Sequence, residues 1–311
     1  MAGYFEDIGV ISEKSNLADG KKLVRSPIIS CSRRTDVPAF LMDWVIENIN
    51  QGYVKVVNPF NRNIVSSVSL HPDDVKCWVW WSKDFGPWIE KFRQYKDLFK
   101  RYSVHFFNFT INSPSELESG LRTELDERID QLKWLTRTFG PDHVQYRFDP
   151  IVFYYKLPKT RNSRLLDNLD RFEYIMSKVA DAGINEMIFS FATIYKKVAR
   201  RMKKRGKLLI DPDPEHKMRV LDYMLQICRG YNIQIKACCQ PDLVGYRGIK
   251  QSHCIPGKKI QSALSEKIEI RSDKGQRENC GCAKSRDIGG YHGKFKCPHN
   301  CDYCYANPRR I

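Results

Sequence analysis

Short apolar runs alternate with amphipathic helical patterns along most of this chain, and that rhythm admits few folds. The runs fall at residues 27–32, 53–57, 77–81, 104–110, 144–148, 187–191 and 233–238, with the length and apolar content of strands. Helical periodicity occupies residues 39–50, 87–100, 115–139, 163–182 and 214–230. Gly140, Gly183 and Gly230 stand where helices end, and Ser115 followed by Glu118 has the spacing of a capping box. Parallel strands need a long crossover, usually a helix, so the alternation reads as βα units. About seven of them predict an α/β fold, a TIM-like βα barrel or partial barrel. Residues 64–70 alternate like an exposed strand and predict an extra hairpin arm. Residues 1–26 read as an N-terminal extension and 27–240 as the barrel body. Residues 241–311, rich in Gly, Lys, Cys and His, read as a cofactor-binding segment laid across the barrel.

Barrel chemistry sits at the C-terminal ends of the strands. Polar residues gather there: Arg33, Arg34 and Asp36 after the first run, Lys83 after the third, Asn108 in the next. Arg147 and Asp149, then Ser190, then Lys236 follow in later strands. Such groups in apolar surroundings need partners. Internal ion pairs would satisfy any one of them; six strands ending this way point to a site.

The composition, 42% hydrophobic, excludes a disordered tail protein. No run of 18 apolar residues spans a membrane, and the acidic start MAGYFEDIGV has no apolar core of a secretory signal, so the expectation is a cytoplasmic protein. Lys plus Arg number 52 against 36 Asp plus Glu, a net charge of +16, which fits an anionic partner or a merely solvated basic surface. Eight cations stand among the twelve positions from Lys196 to Lys207, either a rim that grips phosphates or a solvated helix. Trp78 and Trp80 share one strand face and Trp81 the other, as core residues rather than a base-stacking platform.

Of eleven cysteines, eight lie after residue 237, and in a reducing compartment such a cluster points to metal. Cys297, Cys301 and Cys304 have the spacing C-x3-C-x2-C, which holds three irons of a [4Fe–4S] cluster and leaves the fourth free. Structural zinc is the competing reading, with Cys280 and Cys282 pairing with Cys301 and Cys304, and His292 or His299 as substitutes. Cys238, Cys254, Cys280 and Cys282 make four thiols outside the triplet, either a second metal site or core and surface thiols. Cys239 follows Cys238 and so points away from it on a strand, as a spectator.

The triplet, with Tyr303 at its aromatic position, resembles the signature of the radical S-adenosylmethionine (SAM) superfamily. Together with Ser32–Phe40, Asn58-Pro-Phe-Asn61, Arg147-Phe-Asp-Pro150, the Cys280–Tyr291 run and Tyr305-Ala-Asn307, it resembles a bacterial and archaeal family of unknown function. The Cys–Tyr–Ala ending is also similar to spore photoproduct lyase-type enzymes. The resemblance implies reductive cleavage of SAM to a 5′-deoxyadenosyl radical, with Tyr303 near the adenine and electrons from a flavodoxin or ferredoxin. It also implies cysteines in an auxiliary [4Fe–4S] cluster. Superfamily members carry the triplet after the first strand; here it comes last, so the expected barrel is circularly permuted. Arg33, Asp36, Lys83, Arg147 and Asp149 are the candidate catalytic groups, and Arg34, Asn108, Ser190 and Lys236 the candidate SAM contacts. The expected substrate is anionic, a nucleic acid or nucleotide. The alternatives are a zinc-containing nucleic-acid-binding module and an iron–sulfur electron carrier.

Overall fold

The computed structural model describes residues 23–273, 275–276 and 279–306. Most of the expected N-terminal extension, together with Asn307, lies outside the described residues. In chain order the elements are β1 (Ile28–Cys31), α1 (Val37–Phe40), α2 (Met42–Gln51), β2 (Tyr53–Val57), β3 (Val65–Ser69), β4 (Cys77–Ser82), α3 (Gly86–Gln94), α4 (Lys96–Lys100), β5 (Val104–Thr110), α5 (Leu125–Phe139), β6 (Val144–Ile151) and β7 (Phe153–Lys156). They continue with α6 (Phe172–Asp181), β8 (Glu186–Phe191), α7 (Lys196–Lys204), β9 (Lys207–Ile210), α8 (Pro214–Gly230), β10 (Gln234–Cys238), β11 (Lys250–Ser252), α9 (Gly257–Ala263) and β12 (Arg286–Asp287).

Eight strands form one sheet in the order β11-β10-β8-β6-β5-β4-β1-β12, and every neighbouring pair is parallel. Seven of them follow chain order from β1 to β11. The late strand β12 instead lies outside β1, pairing Ile29 with Arg286 and Ser30 with Asp287. The sheet edges are β11 and β12, and no ladder joins them among the described residues. A parallel α/β sheet is therefore what the alternation built.

Two strands depart from the expectation. Residues 53–57 are not in the main sheet: β2 pairs antiparallel with β3, making the hairpin arm predicted for residues 64–70. Its alternating half-buried pattern suits a two-sided ribbon rather than a strand covered on both faces. Val24 of the preceding segment bridges Val68 of that arm. A second ribbon, β7 with β9, was not foreseen.

Period 2 sorts the sheet residues onto two faces. Ile29, Trp78, Trp80, Phe107, Tyr146, Phe189 and Ile235 face the helices and form the larger core. Trp78 and Trp80 stack there with ring centroids 4.9 Å apart, and each fully buried ring of this size contributes roughly 2–3 kcal/mol. Ile28, Cys77, Val79, Val104, Phe106 and Ile188 face the other way. Among the described residues no sheet or long helix covers them on that inner face. Residues 254–264 and 282–283 do, bringing Cys254, Ile255, Ile260, Leu264 and Cys282 into a separate core. The late segment is thus packed into the sheet's concavity, running from the β11 edge to the β12 edge.

Candidate functional site

Two groups of cysteines lie on or beyond the inner face, and strand ends place both. The first follows from parallel pairing: Cys238 closes β10 opposite Ser252 of β11, so Cys254 emerges beside it. The two sulfurs are 3.2 Å apart. Ala283 donates its N–H to the Ile255 carbonyl, which brings Cys282 and Cys280 alongside. Thiol interactions then close a ring: Cys238 with Cys254, Cys254 with Cys282, Cys282 with Cys280, Cys280 with Cys239, and Cys239 with Cys238. Cys239 is no spectator. Its backbone adopts φ of +52°, which leaves the strand conformation and turns its thiol to the same side as its neighbour's.

Strand residues surround this ring. Asn108 donates to the Cys254 carbonyl at 3.0 Å and Gln145 to that of His253 at 3.3 Å. Arg147 donates to the Cys254 sulfur at 3.1 Å while pairing with Asp149. Trp81 lies between two guanidinium groups, with Arg33 5.5 Å and Arg147 5.8 Å from its ring. S–H donation from Cys238 and Cys282, then Arg147 and Arg33, hold Cys254 well below the usual thiol range. Cys280 is brought down to about 3, first by Cys239 and Cys282. Cys238 and Cys282, which give up the hydrogen bonds, are pushed up.

The second group is the triplet Cys297, Cys301 and Cys304. Burial pushes the Cys297 thiol up to about 12 and raises Cys301 and Cys304 as well. The loop that carries the triplet is gripped on three sides. Asp302 donates its N–H to the Leu117 carbonyl and Gly120 donates to that of His299. Gly120 is required there: a Cβ would stand 2.0 Å from the Pro298 carbonyl oxygen. His299 Nε2 donates to Asp36 at 2.8 Å. From α7 and β9, Arg201 donates to the Asp302 carbonyl, and Arg205 and Lys207 pair with the Asp302 carboxylate. Part of the basic run therefore clamps the cysteine loop, while Lys196, Lys197, Arg200, Lys203 and Lys204 remain exposed.

Beneath the loop sits a buried carboxylate. Glu118 Oε1 accepts from Lys83 at 2.8 Å, from Asn112 at 3.0 Å and from the Tyr303 hydroxyl. Burial alone would raise it, but Lys83, Tyr303 and Arg128 bring it down to about 2. Ser115 and Glu118 therefore do not form the expected capping box. That motif is made by Glu124 and Glu127 at the start of α5, and Glu118 belongs to the site instead. Asn112 also accepts from the Asp149 N–H at 3.0 Å. A continuous polar chain thus runs from Tyr303 through Asn112, Asp149 and Arg147 to Cys254, with Ser190 donating to Asp149.

Not every predicted residue is free for chemistry. Asp36 caps α1 through the Ala39 N–H and also accepts from Ser82 and the Lys83 N–H, so it organises the strand end. Arg34 is spent on the Gly289 carbonyl and Asp287. Lys236 reaches neither cysteine group; it pairs with Glu186, which Lys259 shares. Its inner-face position is as expected, but Glu186 lies at the start of β8 and draws it toward the opposite end of the strands. Glu118, Asp302 and Asp287 were missed as site residues, and Asn112 and His299 were noted without the places they take here. Asp287 accepts from Ser30, Ser32 and the Arg33 N–H and ties β12 to β1. Only Asn112, next to the strand end at Thr110, carried a sequence signal.

Among the described residues, no three or more His, Cys, Asp or Glu side chains stand as a ready-made metal-binding group. The donor chemistry nonetheless suits an iron–sulfur cluster at the triplet: three thiols on one loop, Gly120 allowing close backbone approach, and buried unpartnered atoms at Glu118 Oε2 and His299 Nδ1.

Fold and site together define an α/β protein with one face of its parallel sheet covered by a cysteine-rich segment. Residues 28–306 match the model of DUF1848, a domain of unknown function, and the chain belongs to that family. A search of curated proteins returns no match. Among the described residues no helix is long and apolar enough to cross a membrane.

Proposed function

We propose that the protein is a radical SAM enzyme whose Cys297, Cys301 and Cys304 ligate a [4Fe–4S] cluster, acting on an anionic substrate such as a nucleotide or nucleic acid. The observation that carries the proposal is the place of the triplet loop. It follows β12, which stands outside β1, so the last loop of the chain occupies the position of a loop after a first strand. That order supports reading the sheet as a permuted partial βα barrel. A bound cluster would supply one electron to cleave SAM, yielding the 5′-deoxyadenosyl radical that takes hydrogen from substrate.

The chain's own residues do the positioning. Arg201, Arg205 and Lys207 fix the loop through Asp302. Glu118 fixes Tyr303 and Lys83, and its unpartnered Oε2 is suited to accept from an ammonium group. The exposed cations of α7, beside the loop, suit a phosphate-bearing substrate.

The test uses anaerobically purified protein with dithionite and SAM. Release of 5′-deoxyadenosine, lost in Cys301→Ala, is the expected result. A colourless protein with stoichiometric zinc and no SAM cleavage would overturn it. Binding to DNA and RNA should weaken steeply with salt; absent or salt-insensitive binding removes the nucleic-acid part.

A further inference from the structure

The thiol ring has no task in the chemistry just described, and its surroundings are unusual. Five cysteines from three separate stretches, 238–239, 254 and 280–282, meet in one place. Cys238, Cys254 and Cys282 are 6%, 8% and 1% exposed. Thiols filling a core need no partners and no charge. Here two guanidinium groups face them: Arg147, paired with Asp149, also donates to Cys254, and Arg33, paired with Asp273 at 3.6 Å, keeps a buried Nη2 with no partner. Asn108, 1% exposed and beside Cys254, has an unpartnered Oδ1. A buried guanidinium N–H and a buried amide oxygen left open in this way cost stability unless polar partners complete them.

We infer that the ring is a second metal centre, held by thiolates of Cys238, Cys254, Cys280 and Cys282 with Cys239 as the fifth, supporting thiol. Four thiolates on a divalent ion or on an oxidised [4Fe–4S] core carry a net charge of about −2. Arg33 and Arg147 answer that charge, and both chemistries use the same ligands. Binding replaces the S–H protons of the ring, which leave to solvent, with metal–sulfur bonds. For a single tetrahedral ion the sulfurs need part only slightly: Cys238 and Cys254 stand at 3.2 Å, whereas bonds of about 2.3 Å place sulfurs about 3.8 Å apart, and a [4Fe–4S] core would need a wider separation. The stretch that carries Cys280 and Cys282 lies close against His253. A Cβ on Gly281, between Cys280 and Cys282, would lie 2.1 Å from the His253 ring.

This centre is independent of the triplet, and the experiment separates them. The full chain with Cys297→Ala, Cys301→Ala and Cys304→Ala is purified anaerobically and assayed for iron, sulfide and zinc. One centre per chain is expected to remain, as about four iron and four sulfide or as one zinc, and the assay identifies which. Adding Cys254→Ser and Cys282→Ser should remove that metal at least tenfold. A folded triplet variant that holds no metal, or metal that survives the two added substitutions, would overturn the inference. If the fivefold variant does not fold, wild-type protein is alkylated before and after chelation: the ring cysteines should be protected at first and labelled afterwards. Equal labelling in both states would also overturn it.

Discussion

The two cysteine groups are built in opposite ways. The triplet comes from eight consecutive residues, and its environment is assembled around it by Glu118, Asp36, Arg201 and Arg205. The ring comes from three stretches and exists only because β10 and β11 pair in parallel and the 280–283 segment lies against Ile255. Burial raises all three triplet thiols, whereas neighbouring S–H groups hold Cys254 and Cys280 down, with Arg147 and Arg33 adding to this at Cys254. The local motif thus shows in its spacing alone, while the dispersed set needs the fold to bring its stretches together.

Two glycine substitutions test whether the groups are separable, and their effects should be the largest. Gly120→Ala presses on the Pro298 and His299 carbonyls and should empty the triplet of iron, with 5′-deoxyadenosine formation falling at least ~10-fold and the ring metal retained. Gly281→Ala presses on His253 and should do the reverse for metal content. Either substitution emptying both groups, by metal analysis, would break the comparison.

Next comes the sheet that carries both. His105 Nδ1 accepts from the Trp80 indole, and Nε2 donates to the Phe99 carbonyl in the helix-side core. Burial lowers its pKa to about 4, so the folded state stays neutral where the unfolded chain, near 6.5, takes a proton. Stability should be full above pH 6.5 and fall by about 3 kcal/mol as pH drops toward 4. Urea melts across this range should show the slope, flattened in His105→Asn. An unchanged slope in that variant would remove His105 as its source.

A smaller loss is expected from Asp302→Asn, which strips Arg205 and Lys207 of their carboxylate. Removing one partner of a buried pair costs ~3–5 kcal/mol, and the partial exposure of Arg205 reduces this to about 2. The triplet should lose iron while the ring does not. Smallest is the combined Lys196→Ala, Lys203→Ala and Lys204→Ala: within ~0.5 kcal/mol in stability and no change in iron, with weaker polyanion binding as the only effect.

The sequence revealed the sheet because six of its strands are apolar runs long enough to recognise. It hid β12, whose two residues, Arg286 and Asp287, carry no apolar period and are held by pairing with β1. Residues 115–139 read as one helix, but Glu118 turns inward to Lys83 and the helix begins only at Leu125. Asn108, Arg147, Asp149 and Ser190, read as polar residues at strand ends, lie on one face of the sheet. Which way along the strand a long side chain leans depends on partners such as Glu186, which is why Lys236 was misplaced. Cys239 was misread because its left-handed backbone has no marker in a Cys-Cys-Gln sequence.

The position of β12 also bears on how the protein is made. A nascent chain leaves the ribosome with β1 first and β12 last, so for most of synthesis the outer edge of β1 has its backbone N–H and C=O groups unpaired. Asp287, which fastens Ser30, Ser32 and Arg33, arrives after every other strand has emerged. The newborn protein is then a sheet awaiting its fastener during the same interval in which its last cysteines emerge.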